Sequence, residues 1–299
     1  MMNSKNFQTF MLPVIRDTFE KHIGKLKDFV PTVYNVSTSK RAQEINHGIG
    51  SLGLMKEWNE SNGQVYYDQV RRGFKQTYTH KKYSIGLPLE RELMDDVVYD
   101  EIKNQSKKLA DSVYYSRQLH AVQPLNECTT MIGPDGKPLC ATDHPLGPFN
   151  PTTWSNLATE KPLTPDNVEW GRTQMMEWVD DRGNKILINP DMIIVPKELR
   201  KTAKIIADTD NEPFTTDHGV NIWKGALDVL EWDFLNKPNM WFLVDKNRMK
   251  HYLKWYERRK AQVEKDKENF DSEVIRYKAV CRYSFGWDEP SFIFGFRTN

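Results

Sequence analysis

Four residues of this chain have the types and the proximity to bind a metal ion: Cys128, Cys140, Asp143 and His144. Thiolate, imidazole and carboxylate are the donors zinc takes. Structural zinc sites bring close pairs such as C-x2-C, whereas the spacing here is C-x11-C-x3-H with no second pair. No metal is expected, and His144 is expected in a turn held by Asp143 and Pro145. Two adjacent carboxylate pairs, Asp95-Asp96 and Asp180-Asp181, have the composition of a general acid/base couple. Both fall near expected helix ends or turns, where capping and solvation account for them. Gly48-x-Gly50-x-x-Gly53 carries the spacing of a dinucleotide-binding turn, but it follows His47 instead of a hydrophobic strand and opens no helix. Neither G-x-S-x-G nor a phosphate loop occurs. With no convergent acid, base and nucleophile, the chain is expected to be no enzyme and to carry no cofactor.

The remaining chemistry lies in the basic aromatic stretch from Tyr66 to Tyr83, where Tyr and Phe alternate with Lys and Arg. Such a stripe can stack single-stranded nucleic acid. It can equally lie across another protein, its rings packing and its cations meeting carboxylates. The surrounding elements favour the second use. Tyr67, Phe74, Tyr78, Tyr83, Ile85, Leu87 and Leu89 stand in mostly period-two placement, which suits a half-exposed ribbon, and Gly73 allows it to bend or bulge. Beyond Leu89 no Pro or Gly interrupts the chain before Pro124. Met94, Val98, Ile102, Leu109, Val113 and Leu119 recur near helical spacing, predicting one long helix over 91–123 that Pro124 stops. Strands outside a compact core, joined to so long a helix, point to contacts between copies.

Residues 1–45 read as an extended arm with a helix from Pro13 to Lys27, carried by Val14, Ile15, Phe19, Ile23 and Leu26 and ended before Pro31. Residues 46–90 are glycine-punctuated and strand-like. After Pro124 comes a loop-rich stretch, then a helix capped by Thr164 with Pro165 in its first turn and stopped by Asp181-Arg182-Gly183. ILINPDMIIVP reads as two short strands across an Asn-Pro-Asp turn, and KELRKTAKIIADTD as an amphipathic helix. VNIWKGALDVLEWDFL and MWFLVD read as alternating strands. From Met249 to Asn299 two long strands are expected, joined near Lys265 to Ser272.

Composition sets the class. The 299 residues are 38% hydrophobic, a modest core supplemented by 12% aromatics including nine Trp. No apolar run approaches the ~20 residues that span a bilayer, and no secretory leader pattern opens the chain. Three widely spaced cysteines fit a reducing compartment. With 42 basic and 41 acidic residues the net charge is +1, so sequence-specific nucleic-acid binding is not expected. Local basic runs such as Lys75 to Lys82 and Arg258-Arg259-Lys260 are either solvated faces or surfaces for acidic neighbours or a nucleic-acid-filled interior.

Several stretches, in order, resemble the Mu-like branch of tailed-phage major capsid proteins, which share the Hong Kong 97 capsid fold. They are GLMKEWNESNGQVYYDQVRRGFKQTYTHKKYSIGLPLERELMDD, CATDHPLG, SNLATEKPLT, GNKILINPDMIIVPKELRKTA, NMWFLVD and IRYKAVCRYSFGWDEPSFIFG. The resemblance implies an α+β fold. Residues 1–45 are then the N-terminal arm and 46–90 the extended β-hairpin loop that reaches over a neighbour. The peripheral domain is 91–196 with its spine helix 91–123, the axial domain is mainly 197–248, and 249–299 return as C-terminal strands. It implies a structural role: self-assembly of hexamers and pentamers into the icosahedral head enclosing phage DNA, which is held non-specifically. The expected location is the virion capsid, assembled in the host cytoplasm without a membrane. Because the sequence reaches the arm within its first residues, a separate scaffolding protein is expected, with a portal and a decoration protein as further partners. An encapsulin-like bacterial compartment shell is the alternative on the same fold.

The inter-subunit contacts are expected from the loop, at Tyr66, Tyr67, Arg71, Arg72, Phe74, Lys75, Tyr78, Lys81 and Lys82, and from the tail hairpin, at Arg258, Arg259, Lys265 and Lys267. Relatives that cross-link covalently join a loop Lys to an Asn, for which Lys75, Lys81 or Lys82 with Asn269 are the candidates. No local motif supports that bond.

Overall fold

A computed structural model describes residues 4–58, 63, 65–90, 99–214, 219–265 and 274–298. Helix α1 spans Ser4–Ile23, with Pro13 inside it. The sequence places the helix start at Pro13, because a proline lacks the N–H of an interior turn and crowds the carbonyl four residues back, at a cost of ~3 kcal/mol. Burial outweighs that penalty. Met11, Ile15 and Phe19 are all but fully enclosed, and side chains of this size contribute about 1.5–3 kcal/mol each when buried. Pro31 opens the short helix α2, Val30–Val33, instead of closing an earlier one.

The long helix α3 runs Tyr99–Asn126 and takes Pro124 into its last turn. Val122 and Leu125 are buried there and carry the helix past the expected stop. Ile102 and Leu109 lie on its buried face and Val113 packs against it, whereas Leu119 is exposed. Gln118 occupies the buried position next to it, its amide donating to Asp28 at 2.8 Å. Met94 and Val98 lie outside the described residues. Helix α4, Pro165–Met176, starts as expected: the Thr164 hydroxyl accepts from the Asn167 amide. It ends before Asp181-Arg182-Gly183, which forms a separate turn. Helix α5 is Arg200–Asp208 and α6 is Lys246–Tyr252.

Among the described residues the strands form two larger sheets and two ribbons. The four-stranded sheet has the order β1 (Asn35–Thr38), β11 (Leu253–Lys265), β12 (Val274–Trp287) and β4 (Lys81–Glu90). Strands β11, β12 and β4 are antiparallel and long, as the alternating tail predicts. The five-stranded sheet has the order β7 (Leu157–Thr159), β13 (Ile293–Arg297), β10 (Met240–Val244), β8 (Met192–Val195) and β9 (Asp228–Glu231). The ribbons are β2 (Gln43–Ile49) with β3 (Arg72–Thr79), and β5 (His144–Gly147) with β6 (Asn150–Trp154).

Strand β8 corrects the expected strand pair across Asn189-Pro190-Asp191. Its two edges are taken by β10 and β9, so Ile186 to Ile188 have no edge to join, and Leu187 faces solvent. Of the stretch from Val220 to Leu235, Asp228–Glu231 alone is strand. One core joins both sheets: Trp255, Tyr283 and Trp287 meet Ile194, Met240 and Phe242, together with Val122 and Leu125 of α3. A second lies under α4 and α5, where Trp241 stacks on Phe296 at 3.8 Å. A third seats α1 and α3 on the four-stranded sheet through Tyr277 and Ala279. No helix among the described residues is long and apolar enough to cross a membrane.

Candidate inter-subunit surface

The β2–β3 ribbon carries the loop from Gly50 to Arg71 out of the body. Its register breaks between His47 and Ile49. A Cβ on Gly73 would stand 2.8 Å from the Gly48 carbonyl carbon, so close backbone approach requires glycine at this bulge. Beyond the ribbon, the Gly50 amide still donates to the Arg71 carbonyl at 2.9 Å. The loop then exposes Leu54, Met55, Trp58, Val65 and Tyr67, with Met55 fully and Tyr67 87% accessible. The Lys56 ammonium sits 3.9 Å over the Tyr66 ring. Large apolar side chains exposed this far on one segment are more than scattered surface hydrophobics.

Three devices hold the ribbon. The first is the turn at Asp180 to Asn184. The Asp180 carboxylate is pushed up by partial burial, yet its hydrogen bonds from the Asn184 amide, the Ser51 hydroxyl and the Arg182 amide hold its pKa below the ordinary carboxylate value. Asp181 accepts from the Ser51 amide at 2.9 Å, and Arg182 donates to the Ser51 and Gln69 carbonyls, both at 2.8 Å. Arg182 also pairs with Asp68 at 2.9 Å. The Gly53 amide and Arg182 keep the Asp68 carboxyl below its usual range. The Asp180-Asp181 pair therefore folds a turn and anchors the loop.

The second device is Asp288, just past β12. Tyr78, at 2% exposure, donates its hydroxyl to Asp288 at 2.6 Å, and Asn46 donates to both carboxylate oxygens at 2.9 and 3.0 Å. Asn46 also reaches the Tyr256 hydroxyl, whose ring meets Tyr78 edge-on. Burial, then the Asp288 charge, pushes the Tyr78 hydroxyl far above its ordinary pKa. Tyr78, expected on the contact surface, thus packs inside its own subunit.

The third is His80, the buried residue between β3 and β4. The Ser39 hydroxyl donates to Glu44 at 2.7 Å, so it accepts from His80 Nε2–H at 2.9 Å, and Ser284 donates to Nδ1 at 2.9 Å. Burial and the nearby Arg282 lower the His80 pKa.

The other candidate residues divide into two places. Tyr66, Tyr67, Arg71, Arg72 and Lys75 are exposed along the loop and ribbon, with Phe74 half-buried. Lys81 and Lys82, adjacent on β4, project to opposite faces of the four-stranded sheet. Arg258 and Arg259 are exposed at a bulge of β11, where Arg259 pairs with Glu264 at 2.9 Å and Arg258 donates to the Ser39 carbonyl. Lys265 ends β11, half-buried. Lys267 and Asn269 lie outside the described residues. Asp288, Arg182 and His80 carry no sequence signal; their partners are remote in the chain.

The four candidate metal ligands do not converge. Cys128 and Cys140 meet in the core, where the Cys140 amide donates to the Cys128 carbonyl at 2.7 Å and burial pushes the Cys140 thiol pKa up. His144 is on β5 and not in a turn. Its partners are Asp135 at 2.6 Å and Asn156 at 3.0 Å, with Trp154 stacked on its ring. Asp143 pairs with Lys137. Gly48, Gly50 and Gly53 lie in the ribbon and its loop, and the described residues of that loop form no helix.

The sequence profile of the family described as phage capsid protein matches residues 74–294, most of the chain. The chain belongs to the phage capsid protein family. Comparison with curated protein sequences finds no match. Among solved structures, this phage capsid protein is similar to the capsid of bacteriophage JBD30, with a TM-score of 0.57 at 15% identity over 73% of this chain and 94% of that one. It is similar to the mature capsid of bacteriophage PhiM1, with a TM-score of 0.57 at 12% identity over 92% and 88%. It is also similar to a virus-like particle from Pyrococcus furiosus, with a TM-score of 0.55 at 10% identity over 96% and 99%. At these identities the likeness concerns the α+β fold. Family and fold give the protein a structural, shell-forming role.

Proposed function

We propose that this phage capsid protein is the major head subunit of a Mu-like phage, built on the Hong Kong 97 plan, whose copies close an icosahedral shell around phage DNA. The order of motifs along the chain supports the Mu-like placement. On this plan the loop 46–90 reaches over a neighbouring copy, α3 is the spine of a peripheral domain (91–196), and residues 197–248 supply most of an axial domain gathered around capsomer axes. Residues 249–299 return to the peripheral domain, with the tip between β11 and β12 meeting other copies. The observation that carries the reading is the exposed apolar loop on a ribbon clamped at its base. A free subunit gains nothing from ordering such a surface, whereas a neighbour's contacts offset the entropy of fixing it. Scaffolding, portal and decoration proteins, and DNA held through its charge alone, complete the proposed partners.

Weak contacts repeated over many copies let a shell form correctably and then persist. Exposed ion pairs are worth only ~0–1 kcal/mol each and are screened by salt. Arg71, Arg72, Lys75, Lys82 and Arg259 accordingly steer assembly, and Tyr66, Tyr67 and Phe74 hold the finished lattice. The test is sedimentation and electron microscopy of the purified chain across a salt series. Assembly that slows sharply with salt while finished shells survive supports the assignment; shells that dissolve in the same salt oppose it. The near-complete overlap with the Pyrococcus furiosus virus-like particle favours a second reading, a compartment shell of encapsulin type. Particles from the native source separate the two, as DNA-filled heads on tails or protein-filled cages.

A further inference from the structure

One face of the four-stranded sheet is covered by α1 and α3. Among the described elements, the opposite face is covered only at one end, where Tyr78 packs on Tyr256 and Gly286. From there on no described element lies over it and it is cationic, with Val280 buried between the side chains around it. Lys82, Arg282 and Arg259 are direct cross-strand partners on β4, β12 and β11. With strands ~4.8 Å apart, three positive groups share a row about 10 Å wide. Farther along β12 the same face carries Lys278 and Arg276, both exposed. Like charges placed directly opposite destabilise a sheet. Within the chain the offset is small: Glu264 meets Arg259 at 2.9 Å and Lys278 at 3.6 Å. Lys82 and Arg276 meet no carboxylate among the described residues.

Because the net charge of the chain is +1, acidic residues elsewhere offset this cationic excess. Helix α4 presents a group of them. Asp166, Glu169 and Glu177 are exposed on one side of the helix and its C-terminal end, and none has an ion-pair partner among the described residues. The cations nearby are engaged otherwise: Lys161 sits over Trp170 and Arg172 over Trp223. Glu177 stands at the C-terminal end, where the helix dipole disfavours negative charge. Trp170 and Met176 lie between the acids, 37% and 47% exposed, and add an apolar contact.

We propose that the open cationic face of the β11–β12–β4 sheet docks against the acidic face of α4 on a second copy of this chain. The inference rests on the shell-forming reading and names one of its interfaces. A single partner accounts for both unbalanced faces, whereas a phosphate backbone on the sheet leaves the α4 acids unmatched.

Charge reversal tests it on the full chain. One variant carries Lys82→Glu with Arg276→Glu, a second Glu169→Lys with Glu177→Lys, and a third all four changes. The four side chains have no ion-pair partner among the described residues, and melting curves verify that each variant folds. Each double variant should lose shell yield by about tenfold or more, as a contact repeated over many copies does when its sign is reversed. The fourfold variant should regain it, and an equimolar mixture of the two doubles should assemble. Doubles that assemble like the unmodified chain, or a fourfold variant that stays unassembled, overturn the proposal. So do cationic-face variants that form normal shells holding less nucleic acid, which would assign the face to a polyanion. An unmodified chain that forms no shell counts against the shell reading itself; association of the mixed doubles by sedimentation velocity then still decides the docking.

Discussion

Replacing Asp288 with alanine should release the β2–β3 ribbon from the sheet while leaving the rest of the fold in place. The carboxylate accepts from Tyr78 at 2.6 Å and from Asn46 at 2.9 and 3.0 Å, and Lys254 lies 3.8 Å away. Hydrogen bonds to a charged group contribute about 1.5–3 kcal/mol each, and a buried hydroxyl left without a partner costs about 1–3 kcal/mol. Asp288 is 19% accessible, so water recovers part of the loss, and Asn46 keeps the Tyr256 hydroxyl. The net is about 3 kcal/mol, roughly a hundredfold increase in ribbon opening at ~1.4 kcal/mol per tenfold. Hydrogen exchange reads it directly. Protection of the Gln43–Ile49 and Arg72–Thr79 amides should fall by about that factor, with Met240–Val244 unchanged. Tyr78→Phe, which leaves no unpaired hydroxyl, should cost only about 1 kcal/mol. Unchanged protection in Asp288→Ala would refute the clamp, as would equal losses in the ribbon and in β10.

Ile102→Asp buries an unpaired carboxylate at a fully enclosed position and should cost several kcal/mol; soluble expression at the unmodified level would mean the face of α3 is misassigned. Replacing residues 52–69 with a short Gly-Ser link should be tolerated by the ribbon, since Gly50 and Arg71 already meet at 2.9 Å. A folded subunit that closes no shells is expected, and shells at normal yield would remove the loop from the interface. The His80 ring is held neutral by burial and Arg282, with Arg258 acting the same way and Glu44 opposing. Its folded pKa lies below the ordinary 6.5, so the unfolded chain binds a proton first. Stability should be constant above that value, fall as pH drops through it, and level off below the folded pKa. Urea unfolding from about pH 7.5 to about pH 5.5 should show the fall, and His80→Gln should reduce its slope; His120, shifted in the same direction, retains the remainder.

What the sequence made legible was local. Alternation marks β11 and β12, Thr164 marks the start of α4, and Gly73 marks the bulge, because each depends on neighbours within a few positions. What it hid was set by remote partners. Pro13 signals a helix start until α3 and the sheet bury Met11, Ile15 and Phe19. Leu119 fits the α3 stripe, yet Asp28 draws Gln118 inward instead. Tyr78 belongs to the aromatic alternation of the loop, but its acceptor lies 210 positions away. Asp288 and Arg182 gain their roles from the loop they hold, and no spacing in the chain announces them. His144 sits beside Asp143 in sequence and is partnered by Asp135 and Asn156 in space.

Cryo-electron microscopy of particles assembled from the purified chain tests the central claim most directly. The prediction is a closed icosahedral shell in which residues 50–71 of each copy lie on the body of a neighbour, with Met55, Trp58 and Tyr67 covered. Monomers at assembly concentrations, or shells in which that loop faces solvent, would contradict it.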